Sequence, residues 1–141
     1  MARQVVSSLS FPASSGAETQ IAAPQVALAL GVAGTVPAAT ADDKSDFIVV
    51  VPFDLTLKRM KAAMKTTPSS TTTIQLRKSV DSGSNWTSIS GWTVTVNSAA
   101  YVGTSDPTDI DLDEGDLLGF SITAGGGSGT NLMVEVIGVP R

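Results

Sequence analysis

Histidine and cysteine are both absent from the sequence, and the two absences together remove much of the known catalytic repertoire. Without histidine there is no Ser-His-Asp or Cys-His nucleophile system. Without either residue, a zinc site has none of its preferred ligands. No disulfide can form, so cysteine usage says nothing about redox compartment. Aromatic residues are scarce at 5 %, so a core has to be built from Val, Ile, Leu and Ala. A chain of 141 residues has room for one domain and buries about two-thirds of its unfolded surface. Such a core is adequate rather than generous, and self-association is the expected supplement.

Positive charge is also in short supply. Nine basic residues against thirteen acidic ones give a net charge of -4, and most of the basic ones fall between Lys58 and Lys78. Phosphate backbones are held by clustered Lys and Arg, so nucleic acid is not an expected partner. No Walker or GxGxxG pattern is present, and Gly125 to Gly129 lacks the Lys and helix that would make it a phosphate loop. It reads as a hairpin tip.

Charge is nearly missing from residues 1–41, where only Arg3 and Glu18 carry any. Within that segment Val26 to Val36 (VALALGVAGTV), followed by Ala39-Thr40-Ala41, has the look of a signal peptide's apolar region and cleavage site. The order is wrong, because more than twenty residues with one net-neutral charge pair precede it in place of a basic region. Pro24, Gly31, Gly34 and Pro37 break it as a membrane helix, and it is too short to span. No membrane partner is expected. Segments of low charge are not typical solvated tails, and this one is too rich in Pro and Gly for a stable helix. The reading is an extended N-terminal arm over residues 1–45 that lies against another surface, with a possible strand at Gln25 to Leu30.

After the polar hinge Ala41 to Asp46 the text becomes strand after strand, and the β-sandwich domain is read over residues 46–141. Phe47 to Val51 (FIVVV) is a β-branched run stopped by Pro52, suited to a strand buried on both faces or an interior edge. Phe53 to Lys65 alternates loosely, with Leu55, Leu57 and Met64 as core candidates. Lys58 to Lys65 reads equally as a short helix, and strand is preferred because its surroundings are β. Thr72 to Val80 alternates, with Ile74, Leu76 and Lys78 on one face and Thr73, Gln75 and Arg77 on the other. Trp92 to Asn97 alternates with Trp92, Val94 and Val96 inward. Asp109 to Leu112, Leu117 to Thr123 and Leu132 to Val139 complete the set. Turn chemistry separates them at Pro68-Ser69-Ser70, Asp81-Ser82-Gly83, Asp113 to Asp116 and the glycine-rich tip. Seven or eight short strands at this spacing predict an all-β fold, a jelly-roll-like sandwich.

Three constellations invite a chemical reading. The first is the acidic run Asp106, Asp109, Asp111, Asp113, Glu114 and Asp116. Its opening echoes a calcium loop, but Gly115 falls at loop position seven and Phe120 at twelve, where an EF-hand needs Gly at six and Glu at twelve. An amphipathic strand with a wet acidic face is the plainer reading, and nothing raises one carboxyl as the general acid of a glycosidase pair. The second is Ser79 to Trp86, which matches the Asp-box pattern S-x-D-x-G-x-x-W in every defined position. That pattern resembles the hairpin tips of sialidase propellers, where it is structural. A single copy in a chain this short reads as a stapled hairpin: Asp81 ties the turn, Gly83 takes a positive φ, and Trp86 covers apolar surface. The third is the aromatic set Trp86, Trp92 and Tyr101, a conceivable sugar-stacking platform, although Trp92 lies in phase with the core. No residue is assigned a catalytic, cofactor-binding or metal role, and the chain is not expected to be an enzyme.

The order of these features, from Ile74 to Lys78 through the Asp box, Trp92 to Val96, Asp113 to Phe120, the glycine-rich tip and the last strand, resembles small β-sandwich proteins of tailed-bacteriophage virions. The resemblance is to capsid cement (decoration) proteins and, less often, to tail-fibre or spike modules that bind carbohydrate or receptor. It covers about Phe47 onward. It implies jelly-roll homotrimers on the capsid exterior, binding the major capsid protein and stabilising the shell, with arms reaching neighbours.

Overall fold

In a computed structural model the described residues are 10–12, 18–20, 24–37, 48–125 and 128–141. They form eleven strands and no helix. Strands β1 (Ser10–Pro12) and β2 (Glu18–Gln20) pair only with each other, antiparallel. The remaining nine are β3 (Val26–Thr35), β4 (Val49–Val50), β5 (Leu55–Ala63), β6 (Thr72–Ser79), β7 (Thr87–Val96), β8 (Val102–Ser105), β9 (Ile110–Leu112), β10 (Leu117–Ala124) and β11 (Thr130–Pro140). One sheet runs β4-β10-β6-β7; the other runs β3-β11-β5-β8, with β9 also on β5. All pairings are antiparallel. Most successive strands alternate between sheets, so the chain wraps as a double Greek key, which is the jelly-roll topology. The expected all-β, jelly-roll-like sandwich is the fold observed.

Period-two patterning produces this arrangement, because each strand turns alternate side chains to the interior. Leu55, Leu57, Met60, Ala62 and Met64 from β5 and its exit are buried, so the segment that also read as a helix is a strand. They meet Ile74, Leu76, Trp92, Val94, Val96, Leu118 and Phe120 from the opposite sheet in one aliphatic core. Trp92 is 1 % exposed, and its indole N–H donates to the Thr108 carbonyl at 3.0 Å. Burying a ring that carries a polar N–H calls for such an acceptor.

Two expectations are corrected. The sandwich does not begin at residue 46. Val26–Thr35 pairs with β11 from Val26↔Gly138 to Thr35↔Thr130, and Leu28, Leu30 and Val36 are buried in the common core. The residues of the expected arm at 1–9, 13–17, 21–23 and 38–45 lie outside those described. Phe47 to Val51 is not a strand buried on both faces: β4 has two residues at a sheet edge, Ile48 and Val50 are more than half exposed, and Val51 is fully buried. Alternation, rather than the hydrophobic run, decides burial there. Arg77 stays in phase with Gln75 and Lys78 with Leu76, as the alternation reads, because β6 keeps unbroken register with β10 from Leu117↔Ser79 to Ile122↔Ile74. Arg77 is nonetheless buried, beside a point where the β6–β7 register jumps between Gln75↔Thr93 and Arg77↔Ser88. The extra residues form a bulge on β7 that includes Gly91 at φ 78°. The Gln75 amide N–H groups close it, donating to the carbonyls of Ile89 (2.8 Å) and Trp92 (3.2 Å).

Candidate functional site

The acidic run lies on and beside β9, and the neighbouring strand β5 and the C-terminus answer its charge. Leu112 is buried beneath it and Asp111 faces outward, as an amphipathic strand requires. Lys58 pairs with Asp109, Arg59 with Asp106, and Arg141 with Asp113 at 2.6 Å and Asp111 at 3.9 Å. The Thr56 hydroxyl donates to Asp111 at 2.6 Å, and Asp116 accepts from the Asp113 amide at 3.1 Å. The carboxylate of Asp113 pushes the Arg141 pKa further up. Among the described residues no group of three or more acidic side chains converges as a metal site would. These acids form an ion-paired surface strip, in which each exposed pair contributes about 0–1 kcal/mol.

The Asp-box hairpin is stapled as the motif anticipates. Asp81 accepts from the Ser79 hydroxyl (2.7 Å), the Asn85 amide (2.9 Å) and the Asn85 side chain (2.6 Å). The Gly83 amide donates to the Ser79 hydroxyl oxygen at 2.9 Å, with Gly83 at φ 89°. The bonds to Asn85, then Ser79, lower the Asp81 pKa to about 2. Each stabilises the charged carboxylate. Trp86 is half-buried and its carbonyl accepts from the Arg77 guanidinium at 2.9 Å.

The aromatic platform does not assemble. Trp92 is enclosed in the core, Trp86 precedes β7, and Tyr101 follows its far end. A ten-residue strand at about 3.3 Å per residue separates those ends by roughly 30 Å.

A surface that sequence reasoning passed over is the outer face of β3-β11-β5-β8. Register sets Gly31, Met133, Ala63 and Val102 in one row across the four strands. Outward positions of an antiparallel sheet are ordinarily polar, yet Met133 is 49 % exposed and Val102 59 %. Met133 separates two shallow recesses, about 420 Å³ along β3 and about 190 Å³ beside β5 and β8. The larger is lined by Ala29, Gly31, Val32, Ala33, Leu132 and Asn131. Asn131 stitches its rim by accepting from the Gly34 amide at 2.7 Å. The adjacent row, Ala29, Glu135, Lys61 and Thr104, carries one charge of each sign. The signal in the sequence was Met133, an apolar residue in phase with the outward-facing Glu135.

No protein-family model and no curated protein matches the chain. Among solved structures it is similar to the globular domain of zebrafish complement 1qA protein, at 13 % identity and a TM-score of 0.44, covering 81 % of this chain and 95 % of that one. It is also similar to Eiger TNF from S. frugiperda, at 11 % identity and a TM-score of 0.42, covering 78 % of this chain and 91 % of that one. Neither likeness carries information about partner or activity.

Proposed function

We propose that this chain is a non-catalytic structural protein of a phage virion, a homotrimer that binds the major capsid protein on the capsid exterior and stabilises the shell. The observation that carries the reading is that each local feature suggestive of chemistry is consumed internally. The acids of β9 and its flanks are matched by Lys58, Arg59 and Arg141. Asp81 is spent on its own turn, and Trp92 on the core. What remains is surface on a rigid sandwich, and a protein that acts by surface needs no active site. Binding the assembled shell in preference to its free subunits stabilises the shell by mass action. The ordered series of motifs from Ile74 to the last strand supports the virion assignment. The rival reading, a tail-fibre or spike module that binds carbohydrate or receptor, loses its three-aromatic platform to the burial of Trp92. The test is copy number per particle: a cement protein saturates the capsid lattice, whereas a fibre module is present in a few copies at the tail.

A further inference from the structure

We propose that the open edge of β3 is a docking site that takes an added β-strand, an extended and uncharged segment of the shell protein. The proposal rests on the capsid reading above and gives that contact a place. β3 ends its sheet, and among the described residues no strand pairs with its outer side. Edge strands ordinarily carry a device against pairing with another chain: shortness, charge, proline or cover. The other strands at the margins of the two sheets have one. β4 and β9 are two and three residues long. β7 and β8 cover each other, so closely that a methyl group on Gly103 would stand 2.1 Å from the Thr95 carbonyl oxygen. β3 runs for ten residues without a charge or a proline.

The ladder fixes which backbone groups are free. In an antiparallel sheet a residue turns its N–H and C=O to one side, and the next residue turns its own to the other. The Met64 N–H donates to Tyr101, just before β8, and the Lys65 N–H to Thr130 on β11, each at 2.9 Å. Ala63, in phase with Lys65, therefore faces β11, and Met133 opposite it faces β5. Val134 and Val136 alternate with Met133 and face β3, where Leu30 and Leu28 are spent on them. Ala27, Ala29 and Gly31 are left with their N–H and C=O groups turned to the open edge. Their side chains are too small to screen those groups. A row of donors and acceptors at strand spacing is matched by another extended backbone, which is how sheet edges take up peptide strands.

The surroundings set the rest of the occupant's chemistry. No charge lies along Val26–Thr35 to answer one on the incoming strand. The apolar recess of about 420 Å³ beside Ala29 and Gly31 accommodates side chains that the added strand turns outward. A second copy's β3 in that place would close a two-fold dimer rather than the proposed homotrimer. The described strands of the N-terminal segment, β1 and β2, pair only with each other. That leaves the shell protein as the source of the strand.

The test titrates the full chain onto heads that lack it and counts bound copies. Ala29→Pro removes one edge-facing N–H and breaks no bond to β11, the setting in which strands accept proline. Ala29→Lys keeps the N–H and puts a charge on the edge, and it carries the test if Ala29→Pro does not fold. Both are expected to keep the parent's circular dichroism and to need about ten-fold more protein for half-occupancy. Ala63→Lys, on the same sheet face but away from the edge, is expected to bind like the wild type. On binding, the amides of Ala27, Ala29 and Gly31 are expected to exchange hydrogen more slowly. Wild-type affinity in Ala29→Lys, equal weakening by Ala63→Lys, or unchanged exchange at those amides refutes the β3 edge and leaves the capsid reading standing. A wild-type dimer in size exclusion that Ala29→Lys dissolves gives the edge to a second copy and overturns the proposal too. Heads that bind no wild-type protein overturn both readings.

Discussion

Deleting residues 2–41 removes β3 and should collapse the sandwich. Leu28 and Leu30 leave the core with that strand and Val36 leaves just after it; they are 7 %, 2 % and 0 % exposed. Burial of each such side chain contributes about 1.5–3 kcal/mol, roughly 5–9 kcal/mol for the three. A domain of this kind has about 5–15 kcal/mol in all. The truncation also strips β11 of one ladder partner along nearly its whole length, leaving an exposed edge prone to aggregation. Deleting residues 2–23 instead leaves β3 whole and removes only β1 and β2 from the described strands. The assay is urea unfolding followed by far-ultraviolet circular dichroism, with size exclusion for aggregation. The short deletion should keep a cooperative transition near the parent midpoint, and the long one should be unfolded, aggregated or barely stable in buffer. A long deletion that melts like the parent would refute the placement of β3 in the core.

Trp92→Ala should cost about 3–5 kcal/mol, as for other buried aromatic truncations, and Trp92→Phe clearly less because it loses chiefly the bond to Thr108; equal midpoints for the two variants would contradict the burial described. The folded pKa of Asp81, about 2, lies below its ordinary 3.8, so its contribution is complete above about pH 4 and is lost as pH falls through the folded value. Parent and Asp81→Ala should therefore differ in melting temperature at neutral pH and converge toward pH 2, and a difference that persists there would refute the stapling role. Millimolar Ca²⁺ or EDTA should leave melting unchanged, since Lys58, Arg59 and Arg141 already hold the acids; a rise of several degrees would make Asp109, Asp111 and Asp113 ligands.

Much of the sandwich was legible because its strands alternate. Trp92, Val94 and Val96 are in phase, as are Ile74 and Leu76, and the core follows them. The Asp box was legible because its geometry is local: Asp81 reaches partners within four residues. What escaped was long-range. The pairing of β3 with β11 spans about a hundred residues, and Gly31 and Gly34 disguise it as a loop-rich arm. Arg77 keeps the face its alternation assigns, but its burial was not legible, because the β7 bulge and the Trp86 carbonyl that accepts from it lie outside the β6 sequence. FIVVV misled because a β-branched run shows strand propensity but not which face is covered. The acidic strip was recognisable as charge, but its neutralisation depends on β5 lying beside β9. The apolar outer face was hidden for the same reason: Gly31, Met133, Ala63 and Val102 are scattered in sequence and become a row only when four strands are in register.

The central claim is that the protein reinforces a phage shell, and capsids lacking it test that most directly. Heads purified without the protein are incubated with increasing amounts of it, and bound copies are counted on stained gels. The temperature at which the shells release their contents is followed in parallel. The account predicts saturable binding over the whole lattice at a fixed ratio to the major capsid protein, with a release temperature that rises with occupancy. Absence of binding, a few copies confined to the tail, or full occupancy without any gain in shell stability would contradict it.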